Sequence, residues 1–278
     1  MNGIPLPAAA RERAMDVLSG RRPPVPARDA ATVAIVREGD GAGPEVYLIR
    51  RSAGMAFAAG AFVFPGGSVD PRDTDHEIGW AGPSPQWWGE VFRTDAQTAR
   101  GLVCAAVRET FEESGVLLAG PGEGSVVADT TGDDWEADRL ALLDRSLSFA
   151  DMLRRRGLVL RTDLLRPWAH WITPEIEAKR FDTRFFVAAL PSGQRTRDVG
   201  GEADKVAWMR PADALDAARR REIRLMPPTY TTLAELAEYS TVSDILAAER
   251  RITAIMPVAV EVDGELRLMV PDPGQRRR

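Results

Sequence analysis

Three carboxylates are spaced so that they would share one face of a helix. Glu109, Glu112 and Glu113 stand at positions i, i+3 and i+4 of one segment, and residues three and four apart are neighbours on a helix surface. Like charges at this spacing repel each other and destabilise an isolated helix. The cluster therefore indicates a bound cation. Carboxylate oxygens suit Mg²⁺ or Mn²⁺, which in turn bind phosphate oxygens.

The elements around this cluster are predicted to form a mixed sheet with helices on its faces. Residues 96–114 have the apolar face of a helix, and Gly115 follows them as the left-handed residue beyond the last turn. A strand at 61–64 stops at Pro65-Gly66-Gly67, where glycines allow the backbone to approach a metal or a phosphate. The other predicted strands are 31–36, 46–50, 168–172, 184–190, 206–209 and the hairpin arms 258–262 and 266–270, and the other predicted helices are 8–18, 211–220, 231–239 and 242–251.

Two segments interrupt this order of strands and helices. Residues 70–86 form a polar, turn-rich insert, and residues 135–156 predict one or two amphipathic helices. The second segment is open to two interpretations, a lid over a substrate or a contact in a homodimer. We expect an N-terminal helix and Pro-rich connector at 1–28. Residues 29–278 are expected to form one domain with insertions at about 70–95 and 120–165, C-terminal helices and a hairpin.

Composition narrows the class of protein. The chain has 44% hydrophobic and 28% charged residues, which is ordinary for a soluble globular enzyme. A net charge of -5 argues against a general nucleic-acid binder, and no segment has the roughly 20 apolar residues of a membrane span. The single cysteine, Cys104, is predicted to be a buried core residue and suits the reducing cytoplasm. His76 and His170 are too isolated for a histidine metal site.

The acidic segment and the glycine loop together resemble a known motif. Gly67, followed by Arg108-Glu109-x-x-Glu112-Glu113-x-Gly115-Val116, is similar to the box of the nudix hydrolases. The resemblance implies an α+β fold, the α/β/α sandwich of that family, with a mixed sheet, an insertion inside the box and extra helices. It also implies an enzyme that cleaves nucleoside diphosphates linked to another group.

The spacing departs from the family's box in two respects. The box glycine usually precedes the arginine by fourteen residues, whereas Gly67 precedes Arg108 by 41. The box usually carries a glutamate eight residues before the arginine, and Arg100 stands at that position here. The insertion of about 27 residues between loop and helix leaves room for an intact site, because lengthening a loop costs little once its ends are anchored.

The expanded box and later segments resemble the nudix branch that contains the mammalian peroxisomal coenzyme A diphosphatase. The segments that carry this likeness are Arg51-Ser52-x7-Gly60-x3-Phe64-Pro65-Gly66-Gly67-x2-Asp70, Trp171-x-Thr173-Pro174, Arg180-Phe181-Asp182-Thr183-x-Phe185-Phe186 and Leu225-x-Pro227-Pro228-Thr229. The general coenzyme A signature has an arginine where this chain has Ala56, which removes a bidentate phosphate contact. Arg50 and Arg51 are candidates to replace it.

The resemblance assigns roles to individual residues. Glu109, Glu112, Glu113 and the carbonyl of Gly66 would hold Mg²⁺ or Mn²⁺, and Arg108 would hold a carboxylate in place. Water would attack phosphorus in line while a carboxylate takes its proton. The general base is open between Glu109, Glu112 and Glu202 on the loop 200–204. The candidates for substrate contact are Arg50, Arg51, Gly67 and Arg180, and the aromatic side chains open to either base stacking or core packing are Phe57, Phe62 and Trp171.

Three functions follow in order of preference. The first is metal-dependent hydrolysis of the diphosphate bond in coenzyme A, its thioesters or a similar small nucleotide derivative. The second is a nudix hydrolase for another substrate, such as NADH or ADP-ribose, which Ala56 keeps open. The third is a nudix-fold binding module without catalysis. A module of that kind has no need to keep mutually repelling carboxylates.

Overall fold

The fold is built around a nine-stranded mixed sheet, and the helix that contains the acidic residues packs against it. The computed structural model describes residues 3–6, 8–41, 43–52, 58–197 and 203–270. The strands, in chain order, are β1 (Ile4–Pro5), β2 (Arg28–Glu38), β3 (Pro44–Arg51), β4 (Ala61–Val63), β5 (Gly66–Ser68), β6 (Trp80–Ala81), β7 (Ala119–Gly120), β8 (Val159–Arg161), β9 (Arg166–Ile172), β10 (Phe181–Ala189), β11 (Ala203–Met209), β12 (Arg224–Leu225), β13 (Ala254–Ile255), β14 (Val258–Val262) and β15 (Glu265–Met269). The helices are α1 (Ala8–Leu18), α2 (Pro85–Phe92), α3 (Ala96–Ser114), α4 (Asp133–Leu143), α5 (Phe149–Arg156), α6 (Pro211–Arg219), α7 (Pro227–Leu236) and α8 (Val242–Ala247).

Strand β2 lies at the centre of the sheet. It pairs in parallel with β10 and antiparallel with β3 and β5, and the order across the sheet is β12-β4-β3-β2-β10-β9-β13, with β11 added beside β3. Parallel and antiparallel pairs therefore occur in the same sheet. No helix among the described residues has the length and apolar character needed to cross a membrane.

The two faces of the sheet are buried under different helices. Val33 and Ile35 of β2 belong to the apolar core shared with α3 and α5, whereas Ala34 and Val36 belong to the core shared with α6, α7 and α8. This alternation follows from the two-residue period of a strand. The arrangement confirms the predicted α+β sandwich. A third, smaller apolar cluster lies between α1 and the hairpin β14–β15.

Most predicted elements are confirmed, with changes at their ends. Helix α3 has the predicted bounds, and the 135–156 segment resolves into the two helices α4 and α5. Helix α7 begins four residues earlier than predicted because Pro227 and Pro228 fit the first helical turn. Helix α8 ends at Ala247 instead of 251.

The prediction of a polar, turn-rich insert is only partly right. Residues 85–92 form helix α2, whose Trp88 and Phe92 are buried and stack with ring centroids 5.9 Å apart. The helix begins at Ser84, whose hydroxyl accepts from Trp87 N, and Pro85 follows at the first helical position. That serine–proline pair is a recognised start signal. The proposed division at residue 28 stays a prediction.

Candidate functional site

The acidic residues lie in the second half of α3, and capping fixes both ends of this helix. The Asp95 side chain accepts from Gln97 N and Thr98 N at 2.9 Å, which satisfies two of the unpaired amides of the first turn. At the other end Gly115 adopts φ 74°, the left-handed conformation that glycine takes without strain. The helix therefore presents Glu109, Glu112 and Glu113 at fixed heights on one face.

The glycine loop is held against the carboxylates. The Thr32 hydroxyl donates to Pro65 O at 2.7 Å, and β5 pairs with β2, so the loop is tied to the central strand. Gly66 N donates to Glu113 Oε2 at 2.7 Å. A Cβ on Gly67 would collide with the Glu109 carboxylate. Close approach of backbone to carboxylate is therefore the physical reason for glycine at 67.

Arg108 connects both halves of the site. Its Nε and Nη2 donate to the two oxygens of Asp73 at 2.9 Å each, and Nη2 also donates to Ser68 O at 3.0 Å. Its Nη1 donates to Glu109 at 2.8 Å and to Glu112 at 3.2 Å. The guanidinium thus lies between an acid of the loop and two acids of the helix, as a residue that holds carboxylates in place should.

Asp73 is the residue that sequence reasoning missed. Its side chain is 2% exposed and also accepts from Asp70 N at 2.8 Å. It lies six residues after Gly67, which is the separation between glycine and glutamate in the family's box. The acid therefore precedes the insertion instead of following it. That spacing, counted from the glycine, was the available signal.

Arg100 has a different role from the box glutamate whose position it takes. It donates to Asp75 O and Ile78 O at 3.1 and 3.3 Å, and its guanidinium lies 5.0 Å from the centre of the Trp80 ring. These contacts fasten the insertion onto α3. The departure from the family's spacing is thus explained by a displaced acid and a new structural arginine.

Burial changes the acidity of the cluster. Burial raises the pKa of Glu109 to about 7, the neighbouring Glu112 charge adds to the rise, and Arg108 opposes it. Burial also raises the pKa of Glu112 above its ordinary value. Burial alone would lower the pKa of Arg108, but its bonds to Asp73 and the charge of Glu109 outweigh this effect and raise it. Arg108 therefore remains charged while Glu109 titrates near neutrality.

The donor chemistry of the cluster fits a hard divalent cation. Glu109 and Glu112 are 14% and 8% exposed and line the same cavity as Gly66 and Glu113, and such oxygens are typical ligands of Mg²⁺ or Mn²⁺. Within the described ranges, no three acidic, histidine or cysteine side chains already converge as a cation cage. Arg108 bonds Glu109 and Glu112, and Gly66 N donates to Glu113. A cation would compete with these contacts.

The cavity beside the acidic helix has a volume of about 1100 Å³. Of the residues predicted to contact substrate, Arg51 and Gly67 line it. Arg50 lines a separate, smaller cavity of about 590 Å³. Arg180 is 8% exposed and donates to Thr173 O and Val25 O, so it braces the chain instead of facing the cavity. The structure therefore brings two of the four candidates to the site.

The remaining sequence candidates divide between core, cavity and undescribed segments. Phe62 packs in the core under α6 to α8, and Trp171 is buried but also lines the large cavity. His170 contacts Asp182, which fits the predicted structural role. The candidate base Glu202, together with Ala56 and Phe57, lies outside the described residues.

Comparison with known proteins identifies a matching family model and several relatives of this chain. The family model described as "NUDT19 Nudix domain" matches residues 95–236, just over half of the chain. The acyl-coenzyme A diphosphatase NUDT19 of Gallus gallus is 27% identical over 275 residues, covering 82% of this chain and 72% of that protein. The proteins of the same name from Xenopus laevis and Homo sapiens are 25% and 27% identical, over 72% and 73% of this chain.

The matches cover different shares of the relatives' own length. The chain covers 62% of the Xenopus protein and 63% of the human protein, less than two thirds of each. A solved nudix hydrolase from Alicyclobacillus acidocaldarius is 28% identical with a TM-score of 0.67, and the match covers 82% of this chain and 98% of that one. Fold, box and family model agree, and the chain belongs to the nudix hydrolases, in the family of the NUDT19 Nudix domain.

Proposed function

We propose that this protein hydrolyses the diphosphate bond of coenzyme A or acyl-coenzyme A in a reaction that requires Mg²⁺ or Mn²⁺. The observation that carries the proposal is the cluster of buried Glu112 with partly buried Glu109 and Glu113, which packs against Gly66 and Gly67 at the wall of a large cavity. The names of the three relatives, acyl-coenzyme A diphosphatase, supply the substrate class.

The side chains have separate roles in this proposal. Nudix hydrolases generally use divalent metal ions, and Glu109, Glu112, Glu113 and Gly66 would hold them here. A bound divalent ion neutralises phosphate oxygens and lowers the pKa of water. Arg108 keeps Glu109 and Glu112 on the cavity side of α3. Gly67 leaves the space that the Glu109 carboxylate fills.

Basic and aromatic groups around the rest of the cavity support binding of a nucleotide derivative. Trp171 lines the cavity and is 3% exposed. Guanidinium and ammonium groups suit phosphates. Those that line the cavity in the described segments include Arg28, Arg51, Arg72, Arg145 and Lys179.

Glu202 is our proposed general base, because a carboxylate on a loop after the box is the usual base in many nudix enzymes. We also propose that the protein is located in the cytoplasm. We further propose a homodimer as its assembly, with the 135–156 helices as the candidate contact. These three statements rest on the sequence.

A substrate panel tests the reaction. Purified protein with Mg²⁺ or Mn²⁺ is mixed with coenzyme A, an acyl-coenzyme A, NADH or ADP-ribose, and the products are identified by mass. We expect two phosphate-containing products from the coenzyme A compounds at a kcat/KM above that for the other two. Higher kcat/KM for NADH or ADP-ribose would replace coenzyme A as the substrate.

Glu112→Gln and Glu113→Gln test the metal roles within the same panel. We expect each to lower kcat at least about 100-fold, the upper end of what loss of a residue that merely supports a ligand costs. The fold should survive, because glutamine keeps the shape of the side chain. Glu261→Gln, on the exposed hairpin strand β14, is the control. Near-normal rates in both box variants would contradict the proposal.

A further inference from the structure

Helix α4, which lies in the second predicted insertion at about 120–165, contacts the acidic helix through a buried arginine. Arg139 is 3% exposed at its side chain, and its Nη1 donates to the main-chain carbonyl of Glu112 at 2.9 Å. Carbonyls in the last turn of a helix lack intrahelical donors and need partners from outside. Val116 N, four residues further on, donates instead to Ser114 Oγ at 3.2 Å. Arg139 therefore caps α3 at a residue of the acidic cluster.

Glu136 fixes the orientation of this arginine. Its two oxygens accept from Arg139 Nε and Nη2 at 2.9 and 2.6 Å, the bidentate geometry that holds a guanidinium plane in one direction. The helix spacing of three residues places both side chains on one face of α4. With Nε and Nη2 engaged by Glu136, Nη1 is directed at Glu112 O.

The same glutamate also holds a second contact to the end of α3. Arg197 Nη1 donates to Glu136 Oε2 at 2.7 Å. Arg197 N donates to Ser114 O at 3.0 Å, and a Cβ on Gly115 would lie 2.7 Å from the Arg197 side chain. Glu136 thus bonds two arginines that both contact the last turn of α3. Arg139 belongs to α4 and uses its guanidinium, whereas Arg197 precedes β11 and uses its main-chain amide.

We infer that Glu136 and Arg139 are positioning residues for the metal-binding face of α3. They act through the backbone of Glu112, and helix α4 is therefore part of the structure that positions the site. The inference rests on the proposed function. A guanidinium that caps the carbonyl of Glu112 restrains the direction of that side chain toward the cavity, and partners of this kind typically change metal affinity or activity by about 10–100-fold.

Glu136→Gln tests the inference with a well-matched control. Glutamine keeps the size of the side chain but loses the charge that holds both arginines, and its 35% exposure allows the variant to fold. Glu235→Gln is the control, because Glu235 is 32% exposed and its Oε2 accepts from Arg250 Nη2 and Trp168 Nε1, both at 2.8 Å, on the opposite face of the sheet. Both variants lose a comparable ion pair.

The decisive measurement is Mn²⁺ affinity without substrate, by titration calorimetry, together with kcat and KM. We expect Glu136→Gln to weaken Mn²⁺ binding and lower kcat, each about 10-fold or more, with a smaller change in KM, whereas Glu235→Gln leaves both unchanged. Arg139→Lys should act in the same direction, because one ammonium lacks the fork that spans Glu136 and Glu112 O.

The outcomes separate the inference from the proposed function. Unchanged Mn²⁺ affinity and kcat in Glu136→Gln, in an active enzyme, would overturn the inference and leave a purely structural ion pair. A wild type that binds Mn²⁺ but hydrolyses no coenzyme A compound would overturn the proposed function while the affinity comparison still decides the inference. A wild type that binds no Mn²⁺ would contradict both.

Discussion

At the scale of single residues, the site depends on one buried guanidinium shared between two segments. Arg108 and Asp73 are 12% and 2% exposed and bond through two parallel contacts of 2.9 Å. Removing one partner of a buried pair leaves an uncompensated charge, which costs far more than loss of a surface pair. Because Arg108 also bonds Glu109 and Glu112, its displacement would reach the acidic cluster directly.

We therefore expect Asp73→Asn to affect both stability and activity. The free energy of unfolding should fall by about 3 kcal/mol, the lower end for a broken buried pair, and kcat should fall by about 10-fold or more. Urea unfolding and the coenzyme A assay measure the two effects. Asp216→Asn breaks the exposed pair with Arg219 on α6 and should cost under about 1 kcal/mol. Equal losses in both variants would refute the role given to Asp73.

At the scale of elements, helix α3 could be predicted from the sequence. The residues from other parts of the chain that contact its end could not. Residues 96–114 were predicted with their observed ends because Gly115 and the apolar face are local signals. Arg139 and Arg197 meet the end of α3 from distant parts of the chain, and their contacts depend on tertiary packing. Asp73 has the spacing of the box acid when the chain is counted from Gly67 and not when it is counted from Arg108, because the insertion lies between Asp73 and Arg108.

The contact between loop and helix predicts the effect of Gly67→Ala. The added methyl would occupy the position of the Glu109 carboxylate, so the carboxylate must move while the strand stays in place. We expect at least about a 10-fold loss of kcat, within the range for misplacement of residues that support a site. Gly122→Ala is the matched control because a Cβ there meets nothing within 4 Å. If the Gly67→Ala enzyme is as active as the Gly122→Ala enzyme, the backbone at residue 67 moves instead of the Glu109 carboxylate.

At the scale of the whole molecule, the sheet separates the core under the acidic helix α3 from the core under α6, α7 and α8. The helices α6 to α8 cover the face away from the acidic helix, and successive residues of β2 and β10 belong alternately to the cores on the two faces. Arg50 and Arg51 line different cavities because neighbouring residues of a strand point to opposite faces of the sheet. The cavity of Arg50 lies against α6 and its connection to β12.

The stability of the metal-free protein should depend on pH through Glu109. The folded state raises its pKa from 4.5 to about 7, so between these values the folded protein keeps a proton that the unfolded chain releases. The contribution to the free energy of unfolding is complete below pH 4.5 and is lost as pH rises through 7, by about 3 kcal/mol. Urea unfolding in EDTA at pH 5 and pH 8 measures it.

Glu109→Gln provides the comparison, because glutamine does not titrate. This variant should show a smaller loss of stability between pH 5 and pH 8 than the wild type, whereas Glu222→Gln at an exposed position should behave as the wild type does. If Glu109→Gln and the wild type lose stability in parallel, the titration belongs to other groups.

The bond between Asp73 and Arg108 has a consequence for the length of the segment between these two residues. The two residues mark the ends of the insertion and hold each other at one point, so the segment between them is a ring closed by a non-covalent cross-link. The entropy of closing such a ring changes only logarithmically with its length. We therefore expect residues added at the turns of this ring to leave the site in place.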